Sequence, residues 1–251
     1  MKNMETKLLD IKNLSFEVNE DNTSKTIIND LNLQIESGKF IVITGPNGGG
    51  KSTLARLIAG INTASSGTIE YEGQDITNMS ITDRAKVGIS FAFQQPVRFK
   101  GITVFDLIKL ASGNKALSVG DACKYLSEVG LCAKDYVNRE VNASLPGGEL
   151  KRIEIATVLA RNAKYLIFDE PEAGIDLWSF TSLIDTFSNL KKDDSHGLLI
   201  ISHQERILKI ADEIVVVTNG KITGMGSSEE VLPAILKDGF SAACPLGKEM
   251  C

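Results

Sequence analysis

Basic charge, paired cysteines and long apolar runs are what this chain of 251 residues has little of. Lysine and arginine total 27 against 32 aspartates and glutamates, a net charge of −5. That balance argues against a broad nucleic-acid-binding face, so no nucleic-acid partner is expected. No apolar stretch approaches the roughly 18–20 residues of a membrane-spanning helix. Any membrane role would come through docking to another chain. The opening residues Met1–Thr6 are polar and charged, and no apolar segment follows them. No secretory leader is therefore expected, and a cytoplasmic location is. The four cysteines, Cys123, Cys132, Cys244 and Cys251, form no C-x-x-C pair and match no common zinc spacing. Free thiols in a reducing compartment are expected, with a metal or cluster at Cys244 and Cys251 as the alternative. There is no internal repeat and no low-complexity segment. The length fits one large domain or two small ones and is enough to bury a substantial core.

Against these absences stands one dense motif. Gly45-Pro46-Asn47-Gly48-Gly49-Gly50-Lys51-Ser52 meets G-x-x-x-x-G-K-[ST] at every required position. Phe40–Thr44 before it is a short apolar, β-branched run that reads as a buried strand, and Thr53–Ala59 after it reads as a helix. Strand, glycine-rich loop and helix together form a phosphate-binding loop. Its backbone N–H groups and the positive end of the helix would wrap the β-phosphate of a nucleotide. Lys51 would reach the β and γ oxygens, and the Ser52 hydroxyl would bind Mg²⁺.

Around this motif the pattern is α/β. Leu8–Val18 and Thr26–Ile35 alternate apolar and polar residues across a turn signal at Asp21-Asn22-Thr23-Ser24. Thr68–Tyr71 with Glu72-Gly73 reads as part of a small antiparallel hairpin, and Gly88–Phe93 as a strand. From Thr103 to Leu131 the apolar positions Val104, Leu107, Ile108 and Ala111, then Ala122, Tyr125, Leu126 and Val129, fall at helical spacing. The segment 95–145 is expected to be a mostly helical insertion, dividing a catalytic core of residues 1–94 and 146–251. A helix is expected from Gly148 to Asn162, a buried strand at Tyr165–Asp169, a helix at Leu177–Leu190 and a strand at Gly197–Ser202. Ile214–Val217 and Lys221–Thr223 form a hairpin about Asn219-Gly220, and the tail from Ser227 begins helical. Lys191-Lys192 reads as a solvated helix end, and His196 lies in a polar loop with no assigned role.

Two further features carry chemistry. Asp169 ends an apolar strand and Glu170 follows it. At the C-terminal edge of a parallel sheet, where ligands bind in such folds, Asp169 would hold Mg²⁺ and Glu170 would act as general base on the attacking water. Leu145-Pro146-Gly147-Gly148-Glu149-Leu150-Lys151-Arg152 opens a helix on two glycines, which leaves N–H groups free at its N-terminus.

In that order and spacing the motifs resemble the ATP-binding cassette (ABC) family, over nearly the whole chain. The resemblance implies a P-loop NTPase fold of the ABC type, with an antiparallel β subdomain and a helical insertion. It implies ATP and Mg²⁺ as ligands and ATP hydrolysis as the activity. Gln94 matches the family's glutamine loop, a Mg²⁺ and water contact. Leu145–Glu149 match the signature, with Gly147 and Gly148 on phosphate. Ala173-Gly174-Ile175-Asp176 match the D-loop, and His203 after Leu198–Ser202 matches the switch histidine on the γ-phosphate. Thr53 completes the phosphate loop. Phe16 stands where the family stacks an aromatic ring on adenine, and it is equally well read as a core residue of its strand. The resemblance also implies an ATP-dependent dimer, in which one chain's signature helix closes on the nucleotide held by the other. One departure is Pro146, where the family has Ser. A hydroxyl and an N–H are lost there, although proline suits the first turn of a helix.

Three segments narrow the resemblance to the SufC family, the soluble ATPases of Suf-type iron–sulfur cluster assembly: Phe91–Ile102, Gly147–Ile155 and Ser202–Leu208. Pro171-Glu172 and Leu177-Trp178 diverge from that family. The narrower resemblance implies a SufB- or SufD-like scaffold as partner, docked around Gln94–Ile102 with Phe99 and Phe105 as candidate anchors. The alternatives are the ATP-binding subunit of an ABC membrane transporter, and a nucleotide-binding regulator without useful hydrolysis.

Overall fold

Alternating apolar residues build the first layer of the molecule. β1 (Lys7–Glu20) and β2 (Thr23–Glu36) pair antiparallel, with Ile11 opposite Leu33 and Leu14 opposite Leu31. β4 (Ser66–Tyr71) takes the other edge of β1 and β5 (Gln74–Asp75) pairs with β4, giving the order β2-β1-β4-β5. The computed structural model describes residues 7–20, 23–142, 144–192 and 195–238. The turn centre Asp21-Asn22, the end of the tail and both Cys244 and Cys251 lie outside the described residues.

The second layer is a six-stranded sheet. It comprises β3 (Phe40–Thr44), β6 (Ile89–Ala92), β7 (Tyr165–Asp169), β8 (Gly197–Ile201), β9 (Glu213–Thr218) and β10 (Lys221–Ser227), in the order β10-β9-β3-β8-β7-β6. All neighbours are parallel except β9 and β10. Every residue of β3, β7 and β8 is buried, because helices or the other sheet cover both faces. The period of two divides these strands between two cores. Ile41, Ile43, Ile167, Leu199 and Ile201 face α1 (Lys51–Ala59) and the antiparallel sheet. Phe40, Val42, Leu166, Phe168, Leu198 and Ile200 face the other helices.

Those helices are α3 (Val104–Ser112), α4 (Val119–Glu128), the short α5 (Ala133–Tyr136), α6 (Gly147–Ala160), α7 (Leu177–Lys191), α8 (Glu205–Ile210) and α9 (Ser228–Asp238), with α2 (Ile81–Lys86) beside α1. Thr103 and Asp106 form a capping box on α3, and Ser118 caps α4, so both start where a polar side chain meets the first free N–H groups. The stretch before α3 is not helical. Pro96 and Gly101, the latter at φ +74°, break the helix, and Phe99 and Ile102 instead exchange backbone hydrogen bonds with Val141. Among the described residues no helix is long and apolar enough to cross a membrane. Sequence periodicity does not reveal α2 or α8, since six residues are too few to show a helical period. Lys191 is not simply solvated. Its ammonium pairs with Asp212 at 2.7 Å and donates to Ile210 O at 2.9 Å, while Asp212 also accepts from Phe40 N–H at 2.8 Å.

The helix behind the phosphate loop is closed by a residue the sequence reading passed over. Arg84 of α2 is 2% exposed. Its guanidinium donates to Leu57 O at 2.5 Å and Ile58 O at 2.8 Å in the last turn of α1, and to Thr77 O and Met79 O at 2.8 and 3.2 Å. Burial pulls its pKa down to about 10, so it remains charged at neutral pH. A cation there satisfies carbonyls the helix leaves open and complements its dipole. Arg84→Met is expected to cost about 2–3 kcal/mol, since several buried carbonyls lose their donor. The check is a lowered urea midpoint at unchanged slope.

Candidate functional site

β3 delivers the chain to Gly45 at the C-terminal edge of the parallel sheet. Gly45 sits at φ +132°, and a Cβ there would lie 2.2 Å from Val217 O. Gly50, at φ +102°, caps α1 with no side chain laid over the helix N-terminus and no acidic residue in the first turn. That end therefore presents bare N–H groups and the positive end of the helix dipole to an anion. Lys51 Nζ donates to Gly45 O and Pro46 O at 2.8 Å each, which holds the ammonium across the mouth of the loop. Burial lowers the pKa of this amine.

Ser52 Oγ donates to Asp169 Oδ1 at 2.9 Å across the gap between α1 and β7. Asp169 is fully buried, and its Oδ2 meets no donor among the described residues. Burial pushes this carboxyl up, against the hydrogen bond from Ser52. A hydroxyl, a buried carboxylate with a spare oxygen and nearby anion-binding N–H groups fit a Mg²⁺ ion that takes most of its remaining ligands from phosphate and water.

Glu170 adopts φ +46°, an uncommon backbone for glutamate, and its N–H donates to Ile201 O at 3.0 Å. Its Oε2 accepts from Gln94 Nε2 at 2.6 Å. His203 follows β8, with Nδ1 3.5 Å from Thr44 Oγ1. Burial, then the charge of Lys51, lowers its pKa. Glu172 accepts from Ser202 Oγ at 2.5 Å, and Ser202 Oγ accepts from Gln204 N–H at 3.0 Å. A carboxyl raised by burial is thereby fastened to the loop that carries His203.

Asn47, Gly48, Gly49, Gly50, Lys51, Ser52 and Thr53 line one cavity of 630 Å³ together with Gln94, Glu170 and His203. Lys25 and Ile27 of β2 complete it. The sequence reading missed these two, and only the packing of β2 onto the loop reveals them. Gly45, Pro46 and Asp169 stand behind the lining, held through Lys51 and Ser52. Phe16 is not among the lining residues. It lies half-buried on β1 opposite Ile28 and packs on the core.

Gly147, Gly148 and Asp176 also lie outside the lining. Pro146 is the N-cap of α6 rather than a residue of its first turn, and no side chain covers the N–H groups that follow. Gly147 borders a separate cavity with Gln95, Pro96 and Arg98. A Cβ on Gly148 would lie 2.6 Å from Gly174 O, so the D-loop backbone rests directly on the signature helix. Asp176 spends its carboxylate on the α7 N-terminus, accepting from the N–H groups of Trp178 and Ser179 at 3.0 Å each.

The His203 shift has a definite sign. The imidazole is expected to titrate below its ordinary 6.5, because burial and Lys51 disfavour the imidazolium. Between that lowered value and 6.5 the unfolded chain binds the extra proton, so stability falls as pH drops through this window. NMR titration checks this directly, as the chain has only 2 histidines. Addition of ATP should move the value upward, since a nearby phosphate charge favours the imidazolium.

The ABC transporter family profile matches residues 28–173. An uncharacterised ABC transporter ATP-binding protein of Methanocaldococcus jannaschii is 36% identical over 215 residues, covering 83% of this chain and 86% of the relative. An energy-coupling factor transporter ATP-binding protein of Streptococcus thermophilus is 34% identical over 230 residues, 89% of this chain and 81% of its own. Among solved structures, a dimeric ATP-binding cassette bound to ADP and Pi superposes with a TM-score of 0.81 at 21% identity, over 88% of this chain and 99% of that one. At that identity the likeness is one of fold. With the fold, the loop and the two relatives in agreement, this chain belongs to the ABC transporter family and has the fold of its ATP-binding cassettes.

Proposed function

We propose that this chain binds MgATP and hydrolyses it between two copies of itself, as the ATP-binding subunit of an ABC transporter. The observation that carries the hydrolytic part is the convergence of the phosphate loop, Gln94, Glu170 and His203 on one cavity. Lys51 would leave the Gly45 and Pro46 carbonyls for the β and γ oxygens, while the α1 N–H groups hold the β-phosphate. Ser52 and Asp169, with Gln94, would hold Mg²⁺, which offsets phosphate charge. Glu170 would take the proton of the attacking water. His203 would donate a hydrogen bond to the γ-phosphate. Gln94 covers one Glu170 oxygen, so it would have to turn away before that oxygen could act as base.

A second copy is called for because the signature N-terminus does not border the chain's own phosphate cavity. Gly147 and Gly148 would close on the γ-phosphate held by the partner copy. Trp178, the sole tryptophan, is 85% exposed beside Asp176 at that edge. Glu170→Gln is expected to lower turnover by about 10²–10⁴-fold while ATP still binds. Gel filtration should then show an ATP-trapped dimer, with a shift in Trp178 emission on pairing. A variant that hydrolyses at the parental rate would remove Glu170 as the base.

Pro146 bears on rate. Pro146→Ser restores a hydroxyl at the helix N-terminus and is expected to raise turnover or tighten ATP-driven pairing. If steady-state ATPase and sedimentation are both unchanged, the proline is neutral.

The partner face would be the groove of 190 Å³ beside the glutamine loop, lined by Phe91, Phe93, Val97, Phe99, Leu107 and Val141. Val97 is 46% and Phe99 36% exposed, whereas Phe105 is partly buried against the helical core and so is the weaker anchor. The transporter names of the two relatives support a membrane subunit there. The segments Phe91–Ile102, Gly147–Ile155 and Ser202–Leu208 favour a second reading, a SufC-like ATPase on a SufB- or SufD-like scaffold. Affinity capture from separate soluble and membrane fractions divides the two. A polytopic membrane chain supports the transporter subunit, and a scaffold of the SufB type supports the other. Phe99→Ala should abolish capture in either case while sparing ATP binding.

A further inference from the structure

We propose that Lys151 and Glu154 are a positioning pair that ties the signature helix and the partner groove to Gln94, and through Gln94 to Glu170. This rests on the ATPase reading above and gives a role to two residues of the Gly147–Ile155 segment that had none.

Lys151 lies in the second turn of α6, and its side chain is 0% exposed. An ammonium has three donors and no acceptor, and each of these three has a partner. Nζ donates to Phe93 O, to Gln94 O at 3.5 Å and to Glu154 Oε2 at 3.2 Å. Glu154, one turn on, uses its other oxygen to accept from Phe93 N–H at 3.0 Å. Both backbone polar groups of Phe93 are therefore held by one helix, and Gln94 is the next residue. Its amide then reaches Glu170 Oε2 at 2.6 Å. The chain of contacts runs without a gap from α6 to the catalytic carboxylate.

Hydrophobic residues of similar volume stabilise a core about as well as a buried ion pair. What the pair supplies here is direction, because it fixes a peptide plane rather than a surface. Its position suits a relay. Gly147, the first residue of α6, lies four residues before Lys151, about 6 Å along a stiff rod. Phe93 and Glu154 also line the apolar groove. A chain that enters the groove and a nucleotide that meets the helix N-terminus both press on the same pair.

The test uses the full-length chain with both charges removed, Lys151→Met with Glu154→Gln. Single changes leave one charge unpaired in the core and risk unfolding. The amide carbonyl at 154 still accepts from Phe93 N–H. The phosphate loop is untouched, so the ATP dissociation constant should remain within about twofold while kcat falls about tenfold to a hundredfold, the scale of a small misplacement. The deciding comparison is a double-mutant cycle with Gln94→Ala. If the pair acts through Gln94, Gln94→Ala lowers kcat in the parent and has little further effect in the Lys151→Met, Glu154→Gln background. Additive losses overturn the proposal, as does an unchanged kcat. Hydrogen exchange across residues 91–98 gives a second readout that needs no turnover. Protection should fall in the double variant, because the bonds from Lys151 to Phe93 O and Gln94 O that hold the segment closed are lost, and equal exchange would overturn the pair. Absence of ATPase in the parent would refute the ATPase reading alone, and the exchange result would still decide the pair.

Discussion

Ile201 of β8 sits between Ile43 of β3 and Asp169 of β7, so three buried strands end at nearly the same level. That shared level is the constraint on which the site depends. It brings the phosphate loop, the Asp169-Glu170 pair and the His203 loop out at one edge of the sheet, although more than a hundred residues separate the first from the second. A slip of one residue would reverse every side chain on the slipped strand. Such a slip is disfavoured here, because both faces of these strands are buried and each face has its own set of partners.

Within that frame the polar groups lean on one another. Lys51 rests on loop carbonyls, Ser52 on Asp169, Glu170 on Gln94 and Ser202 on Glu172. Each contact occupies a group that nucleotide chemistry would use or orient. The site is thus ordered by its own side chains, with Oδ2 of Asp169 left without a donor among the described residues.

Sequence and structure part where the partners are distant. The phosphate loop was legible because glycine at Gly45 and Gly50 is required by backbone geometry, and such requirements leave a local pattern. The strands of the central sheet were legible as apolar runs. The non-helical course of Phe99–Thr103 was not, because its partners are Val141 and nearby residues far along the chain. Arg84 and Lys151 had no role assigned from sequence, since nothing local marks either as buried. Only the carbonyls that surround them in the fold explain their burial. Phe16 kept two readings in sequence, and it is half-buried on β1 with one side packed against the core.

By itself, then, the sequence determined the family, the α/β alternation and the identity of the phosphate loop, since each is written in contiguous residues whose backbone or hydrophobic demands are local. Tertiary structure alone decided which distant groups meet: Lys25 and Ile27 at the cavity, Glu172 on Ser202, Arg84 on the end of α1 and the Lys151–Glu154 pair on Phe93. The physical reason is that a polar side chain carries no mark of its partner. A buried donor or acceptor must be satisfied, but what satisfies it is chosen by the packing of elements far apart in the chain.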